Sequence, residues 1–470
     1  MVLLCRGRSV TLDEICSASL GEFVEVCEES YDAAARARAS YEAAATKGEV
    51  YGYEGGLGAL AEVKQERWPG RERVALAEHD TSVGPDAPRE FVRAAMTVRA
   101  SQLSQGSGPV RPSVLRRIVD ALNHDIVPVV GLQGSVGASG DLAPLARIAR
   151  CLFYGEGMAL VRGQATPCSE AIKPLGGTLE LQPGEALALI NSNAWSVGIA
   201  ALGVCAAQRL VRASIVVASH TLEVTGCNPQ HFSVAVGSVK GPSAREAIEL
   251  LGSPCSRTPR LQDPYSIRCI PQVYGASLEA LAFTRGVIER EASSPSENPF
   301  VWDGSVYHAC NFHAAPASMA ADVAKLALAP VGNSIERRTA QVLRASVTGL
   351  PAFLAAKESV VGAMIYQYTA ASLAARLRSL SAPSSVHSLP TSELQEDVVS
   401  MAPNAAVDLV AADAVLLRLI AVEEALSRAA KRVAEGNGLP NPPDNIREAI
   451  EYVARLAGLD GLTGLLNRFW

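Results

Sequence analysis

The sequence predicts a mainly α-helical protein, in which a bundle of long helices follows a smaller N-terminal part of mixed structure. Apolar residues recur with helical periodicity in five long, alanine-rich segments. The region before them alternates shorter helical patterns with glycine-rich stretches that have no helical period. The long helices are apolar on more than one face, which predicts burial between neighbouring helices or subunits. The five segments are residues 193–218, 271–292, 314–330, 362–378 and 404–435.

The N-terminal part is predicted to contain short helices, loops and one β excursion. Thr11 and Glu14 have the spacing of a capping box, which predicts the start of a short helix. Pro144 suits the first turn of another helix that begins near Asp141. Residues 50–58 contain four glycines and predict a loop. Further helices are predicted over 23–47, 87–104 and 112–124, and the β excursion over 157–166.

The chain of 470 residues is long enough to bury a large core or to form more than one domain. We expect an N-terminal domain over residues 1–190, which contains the irregular stretch 126–140, and a helical domain over residues 191–470. No internal repeat or low-complexity linker indicates another boundary.

Composition and charge favour an enzyme that acts on a small molecule. The net charge of -6 and the pI of about 5.8 argue against nucleic acid as a partner. The first residues lack the order of a signal peptide, because their basic residues follow the short apolar run. No stretch reaches the roughly 20 apolar residues of a membrane span, so we expect a cytoplasmic protein without a membrane partner.

The histidines and cysteines do not form a metal-binding pattern. The seven histidines make no HxH or HxxxH pair and the ten cysteines make no CxxC pair, so we expect no metal. The cysteines are expected to be free thiols of a reducing compartment. Internal disulfides become plausible only if the source is a hyperthermophile, and the sequence leaves this open.

The segment GSVGASGDLAPLA, residues 134–146, carries the chemistry. Gly140 has no Cβ, so its backbone nitrogen can approach the carbonyl carbon of Ala138 and close a five-membered ring. Loss of water from the ring, and of the Ser139 hydroxyl as a second water, leaves 4-methylideneimidazole-5-one, a strong electrophile. Gly137 supplies the permissive backbone that the compression needs. The helix that follows directs its positive N-terminal dipole at the ring.

In its full context this segment resembles the signature of the aromatic amino acid ammonia-lyase and aminomutase family, whereas an isolated Ala-Ser-Gly triplet is common in unrelated proteins. Matching segments follow in the same order along almost the whole chain, and the resemblance is closest to the histidine ammonia-lyases. It implies a fumarase/histidase-like fold, a homotetramer with active sites between subunits, and a cofactor built from Ala138, Ser139 and Gly140. No metal or diffusible cofactor is implied. The domain over 1–190 would bear the cofactor.

The matching motifs imply roles for individual residues. The loop YGYEGGLG resembles the YGxNTGxG lid motif, whose first tyrosine, here Tyr51, is the general base. A phenol needs a nearby positive charge or hydrogen-bond donors for that task. The run RLQDPYSIRCIPQ implies that Arg268 binds the substrate carboxylate, since a guanidinium donates two parallel hydrogen bonds. The other implied residues are Gln262 and a catalytic Tyr265 in the same run, Asn191 in NSNAW beside the cofactor, and Asn311 and a catalytic Phe312 in CNFHAAP against the imidazolone.

Three further residues concern the substrate. Glu396, in SLPTSELQEDVVSMAP, stands where histidine-handling members carry glutamate and where phenylalanine- and tyrosine-handling members carry an amide. A carboxylate can accept a hydrogen bond from imidazole N–H but has no partner on a phenyl ring. His79 aligns with a pocket histidine of both tyrosine- and histidine-specific members. Met364 aligns with a pocket methionine of the histidine enzymes.

The chain departs from the family pattern at several positions. It has Glu54-Gly55 in place of the usual Asn-Thr in the lid motif, Glu297 in place of an aspartate, and Ala315 in place of a glutamate. None of these changes touches the cyclising triplet, the implied base or the implied carboxylate-binding arginine. They concern the substrate pocket and the behaviour of the lid.

The implied reaction is the elimination of ammonia from L-histidine to give urocanate. The substrate amine adds to the methylene carbon and Tyr51 removes a β-proton. Arg268 and Asn191 hold the carboxylate. Glu396 and His79 orient the imidazole. A tyrosine or phenylalanine ammonia-lyase or aminomutase is the alternative on the same scaffold, and the altered lid motif leaves a non-catalytic homologue as a third hypothesis.

Overall fold

The structure is a computed structural model that describes residues 1–48, 50–53, 55–61, 63, 68–255, 260–355 and 359–469. Most of the described chain is α-helical, which confirms the predicted fold class. The helices, in chain order, are α1 (Leu12–Ser19), α2 (Glu28–Ala45), α3 (Arg71–His79), α4 (Arg89–Ser104), α5 (Pro112–Asn123), α6 (Ala143–Tyr154), α7 (Cys168–Ala171), α8 (Glu185–Ile190), α9 (Ala194–Thr225), α10 (Val234–Lys240), α11 (Pro242–Leu251), α12 (Tyr265–Arg268), α13 (Ile270–Ser293), α14 (Ala315–Val342), α15 (Ala345–Thr348), α16 (Met364–Leu380), α17 (Ala402–Ala434), α18 (Pro442–Leu456) and α19 (Thr463–Arg468).

The strands are short and form small sheets. β1 pairs in parallel with β2, and β3 pairs antiparallel with β5. β4, β6 and β7 form an antiparallel sheet in that order, and β8 and β9 form a hairpin. The strands are β1 (Val2–Leu4), β2 (Val24–Val26), β3 (Val83–Asp86), β4 (Ile126–Pro128), β5 (Gly131–Gln133), β6 (Met158–Val161), β7 (Gln164–Pro167), β8 (Phe300–Trp302) and β9 (Ser305–Tyr307).

Local sequence signals explain where several elements begin. The Thr11 side chain accepts a hydrogen bond from Glu14 N while the Glu14 carboxylate accepts from Thr11 N, which confirms the predicted capping box. Pro144 lies in the first turn of α6, as predicted. The helix predicted over 23–47 begins only at Glu28, because Val24–Val26 alternates buried and exposed side chains with the period of a strand. The predicted β excursion is the β6–β7 hairpin.

The chain divides into two compact units that are discontinuous in sequence, and α9, α13, α14 and α17 each contribute to both. The first unit comprises Met1–Cys205, Arg285–Ala321 and Ser384–Val407. The second unit comprises Ala206–Thr284, Asp322–Pro383 and Asp408–Trp470. A division into domains over 1–190 and 191–470 stays a prediction.

The second unit is a helical bundle with a buried ion pair in its core. Arg338 of α14 donates to both carboxylate oxygens of Glu423 in α17, at 2.6 and 2.9 Å, and both side chains are fully buried. Arg338 also donates to the hydroxyl of Tyr274 in α13, at 2.8 Å. A buried pair of this kind specifies how the helices pair, because a shifted register would leave an uncompensated charge in the core.

The cysteines differ from expectation. Six of them form three disulfides, Cys5–Cys27, Cys151–Cys168 and Cys227–Cys255. The expectation of free thiols is therefore wrong for these six, whose partners are brought together by the fold across 17 to 28 residues of chain. Cys16, Cys205, Cys269 and Cys310 keep their thiol groups.

One helical stretch, Glu185–Thr225, is long and apolar enough by composition to cross a membrane. Its apolar window is 83% buried within the protein. Burial of this extent is typical of a helix in the core of a globular protein.

Candidate active site

The turn at Ala138–Gly140 packs closely against the backbone of Ser192, and its geometry requires glycine at the end. Gly140 has a φ of +81°, and a Cβ at this position would collide with the backbone nitrogen of Ser192. The next residue, Asp141, donates its N–H to the Ser192 carbonyl oxygen at 2.7 Å. The close approach of two backbone segments therefore holds the turn in a conformation that other residues rarely adopt.

Two segments that the sequence placed at the site hold the turn from other sides. Ser400 Oγ donates to the Gly137 carbonyl oxygen at 2.7 Å, and Ala314 N donates to the same oxygen at 3.3 Å. Ala138 is 3% exposed and packs against Val399. Residues of both CNFHAAP and SLPTSELQEDVVSMAP thus contact the turn.

Asp141 is fully buried and ties the turn to α9. Its carboxylate accepts hydrogen bonds from Ser196 N at 2.8 Å, Ser196 Oγ at 2.6 Å and Ser135 Oγ at 3.1 Å. Ser196 lies in the first turn of α9, where N–H groups lack partners within the helix. Burial raises the pKa of Asp141 from 3.8 to about 6, although these hydrogen bonds favour the ionised form.

The raised pKa of Asp141 predicts a distinct pH dependence of stability. Between about pH 4 and pH 6 the folded protein holds this proton more tightly than the unfolded chain, so the contribution of Asp141 to the free energy of unfolding falls as pH rises. The full loss is roughly 3 kcal/mol for a shift of about two pKa units. Thermal unfolding of the wild type and Asp141→Asn should therefore show the advantage of the wild type shrinking from pH 4 to pH 7, with surface Asp460→Asn as the control. A constant or growing difference would contradict the prediction.

Asn191 follows α8 and contacts the triplet directly. Its Nδ2 donates to the Ser139 carbonyl oxygen at 2.7 Å, and its Oδ1 accepts from Asn298 N at 2.8 Å. The side chain is 3% exposed. The structure thus brings Asn191 beside the triplet, where its amide holds the Ser139 peptide in place.

Glu396 reaches the side chain of Ser139, although 257 residues separate the two in sequence. The Ser139 hydroxyl donates a short hydrogen bond to Glu396 Oε1. Thr391 Oγ1 donates to Oε2 at 2.6 Å, and the backbones of Thr391 and Glu396 form a bridge. The carboxylate is therefore fixed within hydrogen-bond distance of the Ser139 hydroxyl.

The hydroxyl of Tyr51 accepts a hydrogen bond from Gly58 N at 2.9 Å, across its own loop. Burial raises the pKa of the Tyr51 phenol, the bond from Gly58 lowers it, and the charge of Glu396 raises it. The pKa of Tyr51 therefore lies above its ordinary value. One of the hydrogen-bond donors that a tyrosine base requires is present in this loop.

His79 is the last residue of α3, and its ring is oriented by its own helix. Its Nδ1 lies 2.7 Å from the carbonyl oxygen of Ala75. Because a carbonyl oxygen only accepts, Nδ1 is the donor in this contact.

One cavity of about 410 Å³ in the first unit brings five predicted residues together. Its size is within the range of small-molecule sites. The predicted residues on its wall are Tyr51, His79, Ser139, Asn191 and Glu396, and other members of the wall are Leu57, Trp68, Arg71, Leu187 and Ser392.

The structure does not place Asn311 and Phe312 on the wall of this cavity. Asn311 lines a second cavity, of about 430 Å³, with Glu291, Cys310 and His313. Phe312 is half-buried in the same segment. The contact of this segment with the triplet comes from the nearby Ala314 N–H, and the roles of Asn311 and Phe312 stay predictions.

Four predicted residues belong to the second unit. Gln262 and Tyr265 are exposed, and the guanidinium of Arg268 lies 4.8 Å from the centre of the Tyr265 ring. Within the described part of the chain, the buried Nε of Arg268 has no hydrogen-bond partner. A buried donor in this state is consistent with an arginine that binds an incoming carboxylate. Met364 is the first residue of α16.

Sequence reasoning missed Arg71, which contacts the Tyr51 loop. Its guanidinium donates to the carbonyl oxygens of Gly52 and Tyr53 at 3.2 and 3.3 Å, and to that of Gly55. Arg71 is the first residue of α3, where a cation opposes the helix dipole, and this unfavourable placement was a signal that could have found it. Glu54 of the altered lid motif lies outside the described residues.

Comparison with known proteins identifies the family of the chain. The chain matches the family model for aromatic amino acid lyases over residues 10–451. It is 40% identical to the histidine ammonia-lyase of Paracidovorax citrulli over 373 residues, which cover 76% of this chain and 73% of that protein. It is 37% identical to the histidine ammonia-lyase of Streptomyces avermitilis over 468 residues, 96% of this chain and 90% of that protein. The crystal structure of a tyrosine aminomutase from Streptomyces globisporus is similar with a TM-score of 0.90 and 25% identity over 99% of both chains.

These matches confirm the resemblance that the motifs indicated. The family match extends from before α1 into α18, and it includes both units and every segment that reaches the cyclising turn. The chain therefore belongs to the aromatic amino acid lyase family.

Proposed function

We propose that this protein is a histidine ammonia-lyase, which eliminates ammonia from L-histidine to give urocanate. The observation that carries the proposal is the single cavity in which Ser139, Tyr51 and Glu396 meet. Relatives named histidine ammonia-lyase, at 37% and 40% identity over most of the chain, support this branch of the family.

We propose that the cofactor is 4-methylideneimidazole-5-one, formed from Ala138, Ser139 and Gly140. The residues present fit this product, because the position of Gly140 excludes a Cβ and Asn191 holds the Ser139 carbonyl. The Gly140 nitrogen bonds to the Ala138 carbonyl carbon, and two waters leave, one from that carbonyl and one from the Ser139 hydroxyl. The group supplies an electrophilic methylene carbon to the substrate amine. No metal is required for this chemistry.

The side chains around the cavity have separate tasks in the proposed reaction. Tyr51 removes the β-proton, since its hydroxyl lies on the same wall as Ser139. Glu396 accepts the imidazole N–H, and His79 lies on the same cavity wall and orients the ring. Arg268 binds the carboxylate, with Gln262 and Tyr265 beside it.

We infer a cytoplasmic homotetramer with active sites between subunits. Large apolar side chains are exposed on several helices of the described chain, which is typical of surfaces that pair with another subunit. These side chains include Phe283, Met319, Leu326, Ile365 and Tyr368.

The proposal is tested by incubating the purified protein separately with L-histidine, L-tyrosine and L-phenylalanine. We expect urocanate and ammonia from histidine, with the highest kcat/KM of the three. A higher kcat/KM for tyrosine would overturn the assignment, and a β-amino acid product would identify an aminomutase. The similarity to a tyrosine aminomutase and the presence of His79 are the observations that favour this second candidate.

Exchange of Glu396 for glutamine is expected to lower kcat/KM for histidine. The variant replaces a charge-assisted hydrogen bond by a neutral one, and the difference between the two is about 0.5–2 kcal/mol, or roughly 2- to 30-fold. Turnover of tyrosine or phenylalanine should fall less, because neither ring offers an N–H to the carboxylate. Glu393→Gln, an exposed position three residues away, is the control. An equal fall for all three substrates would contradict a role of Glu396 in recognition.

A further inference from the structure

We infer that Arg71 is a positioning residue for the proposed elimination, because its guanidinium holds the loop that carries Tyr51. The inference rests on the proposed function of the cavity and adds a residue for which the motifs imply no role. Arg71 acts through the carbonyl groups of Gly52, Tyr53 and Gly55 and sets where the phenol oxygen stands relative to the substrate β-carbon.

The contacts of Arg71 are directed at the backbone of this loop. Its Nη1 donates to Gly52 and Tyr53 and its Nη2 to Gly55, so three carbonyl oxygens within four residues converge on one guanidinium. The side chain is only 12% exposed, and the carboxylate of Glu72 lies 3.8 Å away. Burying a cation mainly among neutral carbonyls contributes little net stability, so the arrangement points to positioning.

Glycine occupies four of the nine positions of the loop over residues 50–58. Gly55 and Gly56 are adjacent, and Gly52 packs so closely on Leu187 that a Cβ would collide with it. The family motif has Asn-Thr where this chain has Glu54-Gly55, so a polar side chain is absent at position 55. An external donor such as Arg71 can take over the task of fixing the loop.

The first turn of α3 also connects this loop to the cyclising turn. Glu72 Oε2 accepts a hydrogen bond from Ala186 N in α8 at 2.9 Å, and Asn191 at the end of α8 holds the Ser139 carbonyl. α3 therefore contacts the loop of the base through Arg71 and the helix beside the triplet through Glu72. A change at Arg71 should misplace the base and leave the triplet intact.

The test compares Arg71→Ala and Arg71→Lys with Arg73→Ala. Arg73 lies on the same helix, where its guanidinium pairs with Glu156 and lies 5.5 Å from the centre of the Tyr154 ring. We expect Arg71→Ala to lower kcat for histidine by about 10²-fold, because a small displacement of a reacting group can lower the rate by this factor. KM should stay within roughly twofold of the wild-type value. Arg71→Lys should be intermediate, because an ammonium cannot reproduce the guanidinium fork. Millimolar guanidinium ion should raise kcat of Arg71→Ala but not of Arg73→Ala.

Two further measurements keep failure of this inference apart from failure of the proposed function. Intact mass should show the loss of two waters in both alanine variants, and chymotrypsin should cut after Tyr53 faster in Arg71→Ala, whether or not histidine is a substrate. If the wild type is inactive but chymotrypsin still cleaves Arg71→Ala faster, only the proposed function would be contradicted. Equal kcat in Arg71→Ala and Arg73→Ala, an absence of guanidinium rescue, or an uncyclised mass in Arg71→Ala would each overturn the positioning role.

Discussion

Replacement of Ser139 by alanine is expected to abolish ammonia elimination. Without the hydroxyl, the ring cannot lose its second water, and no methylene carbon is available to the substrate amine. We expect kcat to fall by at least roughly a thousandfold, which corresponds to about 4 kcal/mol of transition-state stabilisation. Activity is followed by urocanate formation, and the intact mass of the wild type should be lower than its calculated value by two waters.

The fold should survive this substitution. The Ser139 hydroxyl contacts Glu396, whereas the turn itself is held by backbone groups and by Asn191 and Ser400. Circular dichroism should therefore match the wild type, and Ser379→Ala, an exposed serine of α16, should keep full activity. An active Ser139→Ala enzyme, or a wild type of full calculated mass, would rule out the proposed cofactor.

Exchange of Tyr51 for phenylalanine is expected to lower kcat by about 10²–10⁴-fold, the usual contribution of a positioned general base. The ring remains to fill its place, but the oxygen that receives the β-proton is gone. Because burial raises the pKa of Tyr51, activity of the wild type should increase toward alkaline pH as the phenol ionises. This alkaline rise should be missing in Tyr51→Phe.

Tyr53→Phe is the matched control, because Tyr53 lies in the same loop as Tyr51. The Tyr53 ring packs edge-on against Tyr41, with 5.7 Å between the ring centroids. The control should keep kcat within about twofold of the wild type. Equal losses in the two variants would indicate that the loop tolerates no change, and an unaltered pH profile in Tyr51→Phe would assign the base to another residue.

Local sequence patterns were sufficient to predict several helices and several residues of the site. Thr11 and Glu14 form their capping box because the interaction needs only three residues of spacing. The long helices are where alanine-rich periodicity predicted them. Tyr51, Ser139 and Glu396 were named from motifs, and the fold brings them to one cavity.

Contacts between residues that are distant in sequence could not be predicted from local patterns. No spacing rule links Glu396 to Ser139 or pairs Cys151 with Cys168, since the intervening fold decides these distances. Arg71 was missed because its partners are backbone carbonyls, which leave no trace in side-chain composition. The early start predicted for α2 failed because a three-residue strand is shorter than the window that periodicity needs.

Under the proposed function, the hydrogen bond between Ser139 and Glu396 would link formation of the cofactor to substrate recognition. Before cyclisation, the serine hydroxyl occupies the carboxylate oxygen that we propose as the acceptor of the imidazole N–H. Loss of that hydroxyl would free this oxygen in the same step that creates the proposed electrophile.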